Sequence, residues 1–198
     1  MAHSSVLPKL ILASQSPRRR ELLAEAGYPF EVIPPAESIE NEPPPSKDSA
    51  ELVAWLAYRK AADVRRRGAT GWSDATFIVA ADTVVECDGR ILGKPADEPH
   101  ARQMLQRLSG REHRVLTGLC VWPAAVEEPQ VCVAVTRLRM DRLSDAQLDE
   151  YMASGQWSGK AGAFGYQDRL GWIHVIEGSP SNVVGLPLEL LAEMIRAQ

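Results

Sequence analysis

The sequence has 198 residues, of which 45% are hydrophobic and 24% are charged, so it predicts a folded protein rather than a disordered or low-complexity chain. Its 22 basic and 26 acidic side chains give a formal net charge of -4, which excludes a general basic surface for nucleic acid or an anionic membrane. Scattered cysteines and histidines lack the spacing of a disulfide scaffold or a zinc site. With neither a signal-peptide pattern nor an apolar run of roughly 18 residues, we expect a cytoplasmic protein.

The first half of the chain alternates predicted strands and helices. Short apolar runs indicate buried strands, and apolar residues repeated at helical spacing indicate helices that glycines end. In chain order, the predicted elements are a strand at 10–13, a helix at 18–26, a strand at 30–33, an irregular proline-rich loop at 34–45, a helix at 49–67 and a strand at 77–85.

The second half begins with the strongest hairpin signal in the sequence, Asp88-Gly89 between two β-rich runs. Asp97 is the predicted N-cap of the next helix, and Ser144 with Gln147 has the pattern of a capping box. The other predicted elements are strands at 114–121, 131–138 and 173–176, helices at 97–110, 144–152 and 187–196, and a glycine-rich segment at 155–171. Strands that alternate with helices and later pair as hairpins predict an α/β fold with a mixed sheet.

Three arginines stand in the first turn of the first predicted helix, where the positive end of the helix dipole opposes them. This follows if Ser16 is the N-cap and Pro17 the first helical residue, because residues 18–20 are all arginine. An anion bound by backbone N–H groups, by guanidinium groups and by the hydroxyls of Ser14 and Ser16 removes the conflict, and phosphate fits best. The alternative, side chains that extend into water, is equally good from this segment alone.

A carboxylate interrupts a predicted buried strand at Asp82, where it needs a cationic partner or a metal. With Asp88 and Gly89 as the turn, residue numbers that sum to 177 face each other, so Thr83 faces Lys94. Lys94 therefore ends beside Asp82, although a strict pleat puts the two on opposite faces. A structural ion pair and a catalytic site are both open interpretations of this carboxylate.

Other cations carry weaker signals. Lys60 falls on the apolar stripe of its helix, where either snorkelling or a functional contact explains it. The arginines at 65–67 stand at the C-terminal end of the same helix and favour its dipole, so no ligand is assigned to them. Lys160 opens a glycine-rich stretch in which the amide of Gln167 could pair with the edge of a base.

Six short motifs, taken together, resemble those of the Maf-like nucleoside triphosphate pyrophosphatases in order and spacing. They are SQSPRR at 14–19, ADTVV at 81–85, GKP at 93–95, LSG at 108–110, KAGAFGYQ at 160–167 and VGLPL at 184–188. The resemblance covers nearly the whole chain. It implies a Maf/Ham1-like fold, in which residues 1–198 form one domain with an elongated mixed sheet, flanking helices and two lobes around a nucleotide-binding cleft.

The same resemblance implies hydrolysis of a nucleoside triphosphate between its α and β phosphates, giving a monophosphate and pyrophosphate. In the family pattern Asp82 is the catalytic base and a divalent cation, Mg²⁺ or Mn²⁺, assists. That cation is implied to be held by Asp82 and by a second acidic residue, for which Glu40 is the candidate and Glu42 the alternative. The residues implied to bind the triphosphate are Ser14, Ser16, Arg18, Arg19, Lys60, Lys94 and Lys160.

At Arg18, Thr83 and Gln167 the sequence matches the branch of the family that acts on dTTP and UTP. These three residues are implied to set substrate specificity, with modified pyrimidine nucleotides as further candidate substrates. The sequence departs from the family pattern at Phe164 and Tyr166, where other members often have tyrosine and isoleucine, and at Asp168, where glycine is usual.

Two alternatives stay open, a non-enzymatic nucleotide-binding regulator of cell division and a pyrophosphatase of the methylated-nucleotide branch. Asp82 with Lys94 favours turnover, because a carboxylate repels phosphate unless a metal is bound. Thr83 with Gln167 argues against the methylated-nucleotide branch. The implied partner is a nucleoside triphosphate, without nucleic acid or membrane. The oligomeric state is open, a homodimer being one alternative.

Overall fold

The computed structural model describes residues 7–41, 44–68, 71–168 and 170–198. Within these ranges the chain forms a seven-stranded sheet flanked by helices, which confirms the predicted α/β fold. The strands are β1 (Leu10–Leu12), β2 (Phe30–Val32), β3 (Phe77–Cys87), β4 (Arg90–Leu92), β5 (Glu112–Pro123), β6 (Gln130–Met140) and β7 (Ile173–Glu177). The helices are α1 (Pro17–Glu25), α2 (Ser49–Arg67), α3 (Glu98–Leu108), α4 (Asp145–Ala153), α5 (Pro180–Val184) and α6 (Leu188–Arg196).

The strands follow the order β2-β1-β3-β5-β6-β7, and β4 pairs with β3. β1 is parallel to both β2 and β3, whereas the β3–β4 and β6–β7 pairs are antiparallel. The sheet is therefore mixed, as the sequence predicts. Among the described residues no helix is both long and apolar enough to cross a membrane.

The β3–β4 hairpin has the predicted turn and register. Cys87 lies opposite Arg90, and the preceding pairs keep the same sum of residue numbers. Both turn residues have positive φ, 51° at Asp88 and 69° at Gly89, as a type I′ turn requires. The sequence identifies this hairpin because its turn chemistry is local.

The chain divides into two compact units. Unit 1 consists of Met1–Asp82, Gly118–Val133 and Leu188–Gln198, and unit 2 consists of Thr83–Thr117 and Ala134–Pro187. Strands β3, β5 and β6 each contribute residues to both units. The expected organisation, a single domain with two lobes, stays a prediction.

The core of unit 1 forms where α2 packs against strands of the sheet. Asp48 caps α2, because its carboxylate accepts hydrogen bonds from the N–H groups of Ala50 and Glu51 at 2.9 and 3.0 Å. The cap adds to the burial of apolar side chains between the helix and the sheet, which supplies most of the stability of a helix in a protein. The core includes Ile11, Ala13, Ala57, Ala61, Val64, Ile78, Ala80, Cys120 and Trp122.

Helix α2 approaches the sheet most closely at Gly118 of β5. A Cβ at this position would lie 2.1 Å from the carbonyl oxygen of Val53, so any side chain would push the helix away. Glycine is therefore required for α2, which carries Lys60, to pack directly on the strand.

The core of unit 2 packs α3 and α4 against β-strands. Asp97 caps α3 by accepting a hydrogen bond from the N–H of His100 at 2.8 Å, and Ser144 with Gln147 forms the predicted capping box of α4. The largest contributors to this core include Leu92, Met104, Leu105, Leu108, Leu138, Met140, Leu148, Tyr151, Phe164 and Trp172.

Several short helices were not predicted from the sequence, among them the 3-10 helices Ala161–Ala163 and Tyr166–Asp168 of the glycine-rich segment. The proline-rich loop predicted to be irregular contains a short 3-10 helix, Glu37–Asn41. The five-residue helix α5, Pro180–Val184, was not predicted, because so short a segment shows little periodicity. Its N-cap signal is present, since the Ser179 hydroxyl accepts a hydrogen bond from the N–H of Ser181 at 3.2 Å.

His113 on β5 is a buried titratable residue in unit 2. It is 3% exposed, and its ring meets the ring of Phe164 edge-on, with centroids 5.5 Å apart. Burial disfavours the charged imidazolium and lowers the pKa of His113 from 6.5 to about 4. The folded protein therefore keeps this ring neutral at pH values where an unfolded chain protonates it.

We expect stability to fall as the pH drops from 6.5 towards 4, because the unfolded state then binds a proton at His113 that the folded state excludes. At about 1.4 kcal/mol per pKa unit, the loss between pH 7 and pH 5 is about 2 kcal/mol. Urea unfolding of the wild type and of His113→Leu at both pH values measures it. The variant should lack this share of the pH dependence, and equal pH dependence in both proteins would contradict the assignment.

Candidate functional site

Asp82 lies on β3 at the point where the apolar run of the strand is interrupted. The Nζ atom of Lys60 donates a hydrogen bond to its Oδ1 at 2.6 Å. The side chains of Lys60 and Asp82 are only 5% and 14% exposed. The second carboxylate oxygen, Oδ2, has no hydrogen-bond partner within the described residues. The pair thus fixes one oxygen and leaves the other to a ligand or water.

The cationic partner of Asp82 corrects the expectation from the sequence. The hairpin register pointed to Lys94, but the ion pair is formed by Lys60, 22 residues earlier in the chain. Lys94 is exposed and follows β4 by two residues. Lys60 lies on the buried face of α2, so its position on the apolar stripe reflects a buried contact rather than snorkelling. Direct contact of either lysine with phosphate stays a prediction.

The first turn of α1 has the predicted composition and cap position. Ser16 is the N-cap, Pro17 is the first helical residue, and the turn contains no acidic residue. The side chain of Ser16 makes no capping hydrogen bond. Instead the Ser14 hydroxyl accepts hydrogen bonds from the N–H of Ser16 at 3.2 Å and from Arg19 Nη1 at 3.1 Å. Arginines, serine hydroxyls and a helix N-terminus therefore meet at one turn of unit 1.

The sheet places this turn beside Asp82. Leu12 of β1 pairs in parallel with Val79 of β3, and the N–H of Ala13 continues the ladder to the Val79 carbonyl oxygen at 2.8 Å. Continuing this register puts Ser14 level with the residue that precedes Asp82. Ligands of α/β proteins commonly bind at the carboxyl ends of parallel strands. Unit 1 thus brings the arginine-rich turn and the partly buried carboxylate of Asp82 to neighbouring strands at that position.

Asp63 is a buried carboxylate of unit 1 that the sequence pattern did not single out. Its side chain is 2% exposed and accepts hydrogen bonds from Arg66, from Arg67 and from the N–H of Ala36. Burial alone raises the pKa of Asp63, but these hydrogen bonds outweigh it and lower the pKa below its usual value. Arg65 donates to backbone carbonyl oxygens of the same unit. These contacts account for the arginines at 65–67 without a ligand.

The predicted metal ligands are only partly covered by the structure. Glu40 belongs to the 3-10 helix Glu37–Asn41, but its side chain lies outside the described part of the structure, and so does Glu42. Among the described residues, no group of three or more His, Cys, Asp or Glu side chains is arranged to hold a metal. Mg²⁺ commonly uses only one or two carboxylates, together with substrate phosphates. A single carboxylate with one unpartnered oxygen, as at Asp82, fits that donor set.

Thr83 opens unit 2 and belongs to a chain of hydrogen bonds. Its hydroxyl lies 2.9 Å from the hydroxyl of Thr117 and 3.5 Å from the carbonyl oxygen of Gly185. Thr117 donates to the carbonyl oxygen of Asn182 at 3.3 Å, and the buried amide of Asn182 donates to Thr136 Oγ1 at 2.9 Å. These hydrogen bonds connect Thr83 to the segment that carries the VGLPL motif. Sequence spacing does not reveal this contact.

The glycine-rich loop, residues 159–168, carries the other predicted residues of unit 2. Lys160 is 8% exposed and its ammonium group forms an ion pair with the carboxylate of Asp168. Gln167 is exposed and lies in the 3-10 helix Tyr166–Asp168. The proposed phosphate contact of Lys160 and the base contact of Gln167 stay predictions, whereas the partner of Lys160 is a finding of the structure.

Comparisons with known proteins agree with the motifs. The family model described as Maf-like protein matches residues 9–198. A relative from Rhodopirellula baltica named dTTP/UTP pyrophosphatase is 52% identical over 187 residues, covering 94% of this chain and 80% of the relative. A protein of the same name from Pelotomaculum thermopropionicum is 41% identical over 191 residues, covering 96% of both chains.

A solved structure supports the fold independently. The structure of a HAM1 protein from Coxiella burnetii superposes with a TM-score of 0.51 at 16% identity, covering 97% of this chain and 100% of that one. At this identity the similarity concerns the fold alone. Sequence identity over nearly the full length carries the assignment of the family. The chain belongs to the family of Maf-like proteins.

Proposed function

We propose that this protein is a nucleoside triphosphate pyrophosphatase that converts dTTP and UTP to the monophosphate and pyrophosphate. One observation carries the proposal. The arginine-rich first turn of α1 follows β1, Asp82 lies on β3, and these two strands of unit 1 are parallel neighbours. Relatives up to 52% identical are named dTTP/UTP pyrophosphatases, in agreement with the activity predicted from the sequence. A nucleotide substrate also suits the expected cytoplasmic location.

The triphosphate is proposed to bind at the first turn of α1. Three cations in that turn oppose the helix dipole, and a bound polyanion offsets this repulsion because it attracts both the guanidinium groups and the helix N-terminus. Arg19 is already oriented by Ser14, and guanidinium groups bind phosphate oxygens in bidentate fashion. The proposed phosphate-binding residues are Ser14, Ser16, Arg18, Arg19, Lys60, Lys94 and Lys160.

Asp82 is proposed to act as the general base. Lys60 donates to Oδ1, which holds the carboxylate in one orientation and leaves Oδ2 to accept a proton from water. The oxygen of that water bonds to phosphorus while the bond to the bridging oxygen between the α and β phosphates breaks. Pyrophosphate and the monophosphate are the two products, with the proton of the water on Asp82.

A divalent cation is proposed as the cofactor. Asp82 Oδ2 together with substrate phosphates would hold it, with Glu40 as the proposed second acidic residue. When bound, Mg²⁺ or Mn²⁺ neutralises negative charge on the phosphate oxygens.

Recognition of the base is proposed to involve Arg18, Thr83 and Gln167. The hydrogen-bond chain through Thr117 fixes the orientation of the Thr83 hydroxyl. Gln167 is exposed and offers both an amide donor and a carbonyl acceptor, which matches the donor and acceptor pattern of the imide edge of thymine and uracil.

The test is a panel of nucleoside triphosphates, incubated with Mg²⁺ or Mn²⁺ and analysed for nucleotide and phosphate products. We expect monophosphate and pyrophosphate in equal amounts, with dTTP and UTP as the preferred substrates. A nucleoside diphosphate with inorganic phosphate would contradict the site of cleavage. Binding of nucleotide without turnover would favour a regulator over an enzyme.

Arg18→Ala is expected to raise KM for dTTP about tenfold with a smaller effect on kcat, because a charge-assisted contact to phosphate is lost. Arg20→Ala is the matched control, because Arg20 is exposed in the same turn and has no proposed role. Unchanged kinetics of Arg18→Ala would contradict the proposed contact of Arg18 with phosphate.

A further inference from the structure

The glycine-rich loop is folded around a largely buried ion pair between its two ends. The side chains of Lys160 and Asp168 are each 10% exposed. The Tyr151 hydroxyl of α4 donates to Asp168 Oδ2 at 3.2 Å, and the same oxygen accepts the bond from Lys160. The carboxylate is thus held by two donors, one in the loop and one in the core of unit 2.

The backbone of the loop closes tightly over this pair. The N–H of Asp168 donates to the carbonyl oxygen of Gly165 at 3.2 Å, and the N–H of Ala163 donates to that of Lys160 at 3.1 Å. A Cβ at Gly165 would lie 2.7 Å from both Lys160 Nζ and Asp168 Oδ2. A side chain at Gly165 would therefore press on both charged groups, and the ion pair would have to shift to make room for it.

Breaking such a pair is costly to local order. Removing one partner of a buried ion pair leaves the other charge without compensation. The surrounding segment must then move so that water can reach this charge. In this loop the movement would involve the 3-10 helix Tyr166–Asp168, because Asp168 is its last residue. Gln167 is the adjacent residue and is exposed, so its position depends on where Asp168 is anchored.

We propose that Asp168 is a positioning residue for base recognition: by binding Lys160 and Tyr151 it fixes the glycine-rich loop so that Gln167 meets the base in one orientation. The inference rests on the proposed function, since the base contact of Gln167 belongs to it. Asp168 itself does not touch the substrate. A purely structural ion pair would change the stability of the protein but not its preference among bases.

The experiment compares the wild type with Asp168→Asn at a temperature well below unfolding. The primary readout is the ratio of kcat/KM for dTTP to that for CTP. We expect the ratio to fall about tenfold, because a small displacement of a positioning group is enough for such a loss. The second readout, which needs no substrate turnover, is hydrogen exchange of the loop amides, and we expect faster exchange in Asp168→Asn.

The matched control is Asp149→Asn. Asp149 of α4 also forms an ion pair within unit 2, with Arg102, but its side chain is 65% exposed. Neither the ratio nor the loop exchange should change in this control. If Asp168→Asn does not fold, Tyr151→Phe removes one hydrogen bond to the same carboxylate and should lower the ratio by a smaller factor.

The outcomes separate the two proposals. If Asp168→Asn folds and changes neither the dTTP-to-CTP ratio of kcat/KM nor the exchange of the loop amides, the positioning role is overturned. If only Tyr151→Phe folds, an unchanged ratio in that variant overturns it. If the wild type hydrolyses no triphosphate, the proposed function fails, and the hydrogen exchange alone then decides whether Asp168 orders the loop. Faster exchange confined to the glycine-rich loop supports that ordering, and equal exchange overturns it.

Discussion

Asp82→Asn is expected to lower kcat for dTTP by about 10²- to 10⁴-fold, the usual contribution of a general base, while the protein remains folded. Asparagine has nearly the same shape as aspartate, and its amide oxygen can still accept the hydrogen bond that Lys60 donates to Asp82. It cannot accept a proton from water at neutral pH, and it is a poorer ligand for a divalent cation. Steady-state kinetics and thermal unfolding of the variant test this expectation.

Glu86→Gln provides a matched control on the same strand. Glu86 also forms an ion pair, with Arg114 Nη2 at 2.5 Å, and its side chain is 16% exposed, close to the value of Asp82. Neutralising it removes a paired carboxylate from β3 without touching the proposed chemistry, so kcat should be unchanged. Undiminished hydrolysis by a folded Asp82→Asn protein would remove Asp82 from the mechanism.

The partner of Asp82 shows where sequence reasoning reaches its limit. Turn chemistry fixes the hairpin register locally, so the sequence correctly predicts which residues of β3 and β4 face each other. Lys60 comes from α2, and its approach to β3 depends on how that helix packs, including the close contact at Gly118. The sequence did show that a carboxylate on a strand and a lysine on an apolar stripe were each unusual. It could not show that they pair with each other.

Asp63 and Asp168 were harder to interpret for a related reason. Asp63 lies on the buried face of α2, and its partners include a backbone N–H of the proline-rich loop, 27 residues away. Asp168 was visible only as a departure from the family pattern, whereas the structure pairs it with Lys160 in the same loop. In both cases the carboxylate is held by partners that only the folded structure brings to it, so the local sequence pattern does not identify either residue as a structural anchor.

The main elements, by contrast, follow from local signals. The N-caps of α3 and α4, the glycines that end helices and the Asp88-Gly89 turn act within a few residues, and the structure has each of them where the sequence predicts it. The Thr83 chain of hydrogen bonds depends instead on residues up to 102 positions apart. The sequence therefore predicts the scaffold well, but not the polar contacts that orient the candidate site residues.

Gln167→Glu is expected to lower kcat/KM for dTTP by roughly ten- to a hundredfold, because a charged acceptor replaces the amide donor that pairs with the imide edge of the base. An unsatisfied polar group in a complex costs about 1 to 3 kcal/mol, which corresponds to that range. The shape of the side chain is retained, and the phosphate contacts proposed for unit 1 are untouched. A triphosphate whose base does not use this edge should therefore lose less.

The measurement is the ratio of kcat/KM for dTTP to that for CTP or a purine triphosphate, in the wild type and in Gln167→Glu. Gln106→Glu controls for the added negative charge, because Gln106 is also an exposed glutamine of unit 2 but lies on α3. We expect a lower ratio in Gln167→Glu and an unchanged ratio in Gln106→Glu. If Gln167→Glu loses activity equally on every base, Gln167 supports the loop rather than recognising the pyrimidine, and specificity must come from Thr83 and Arg18.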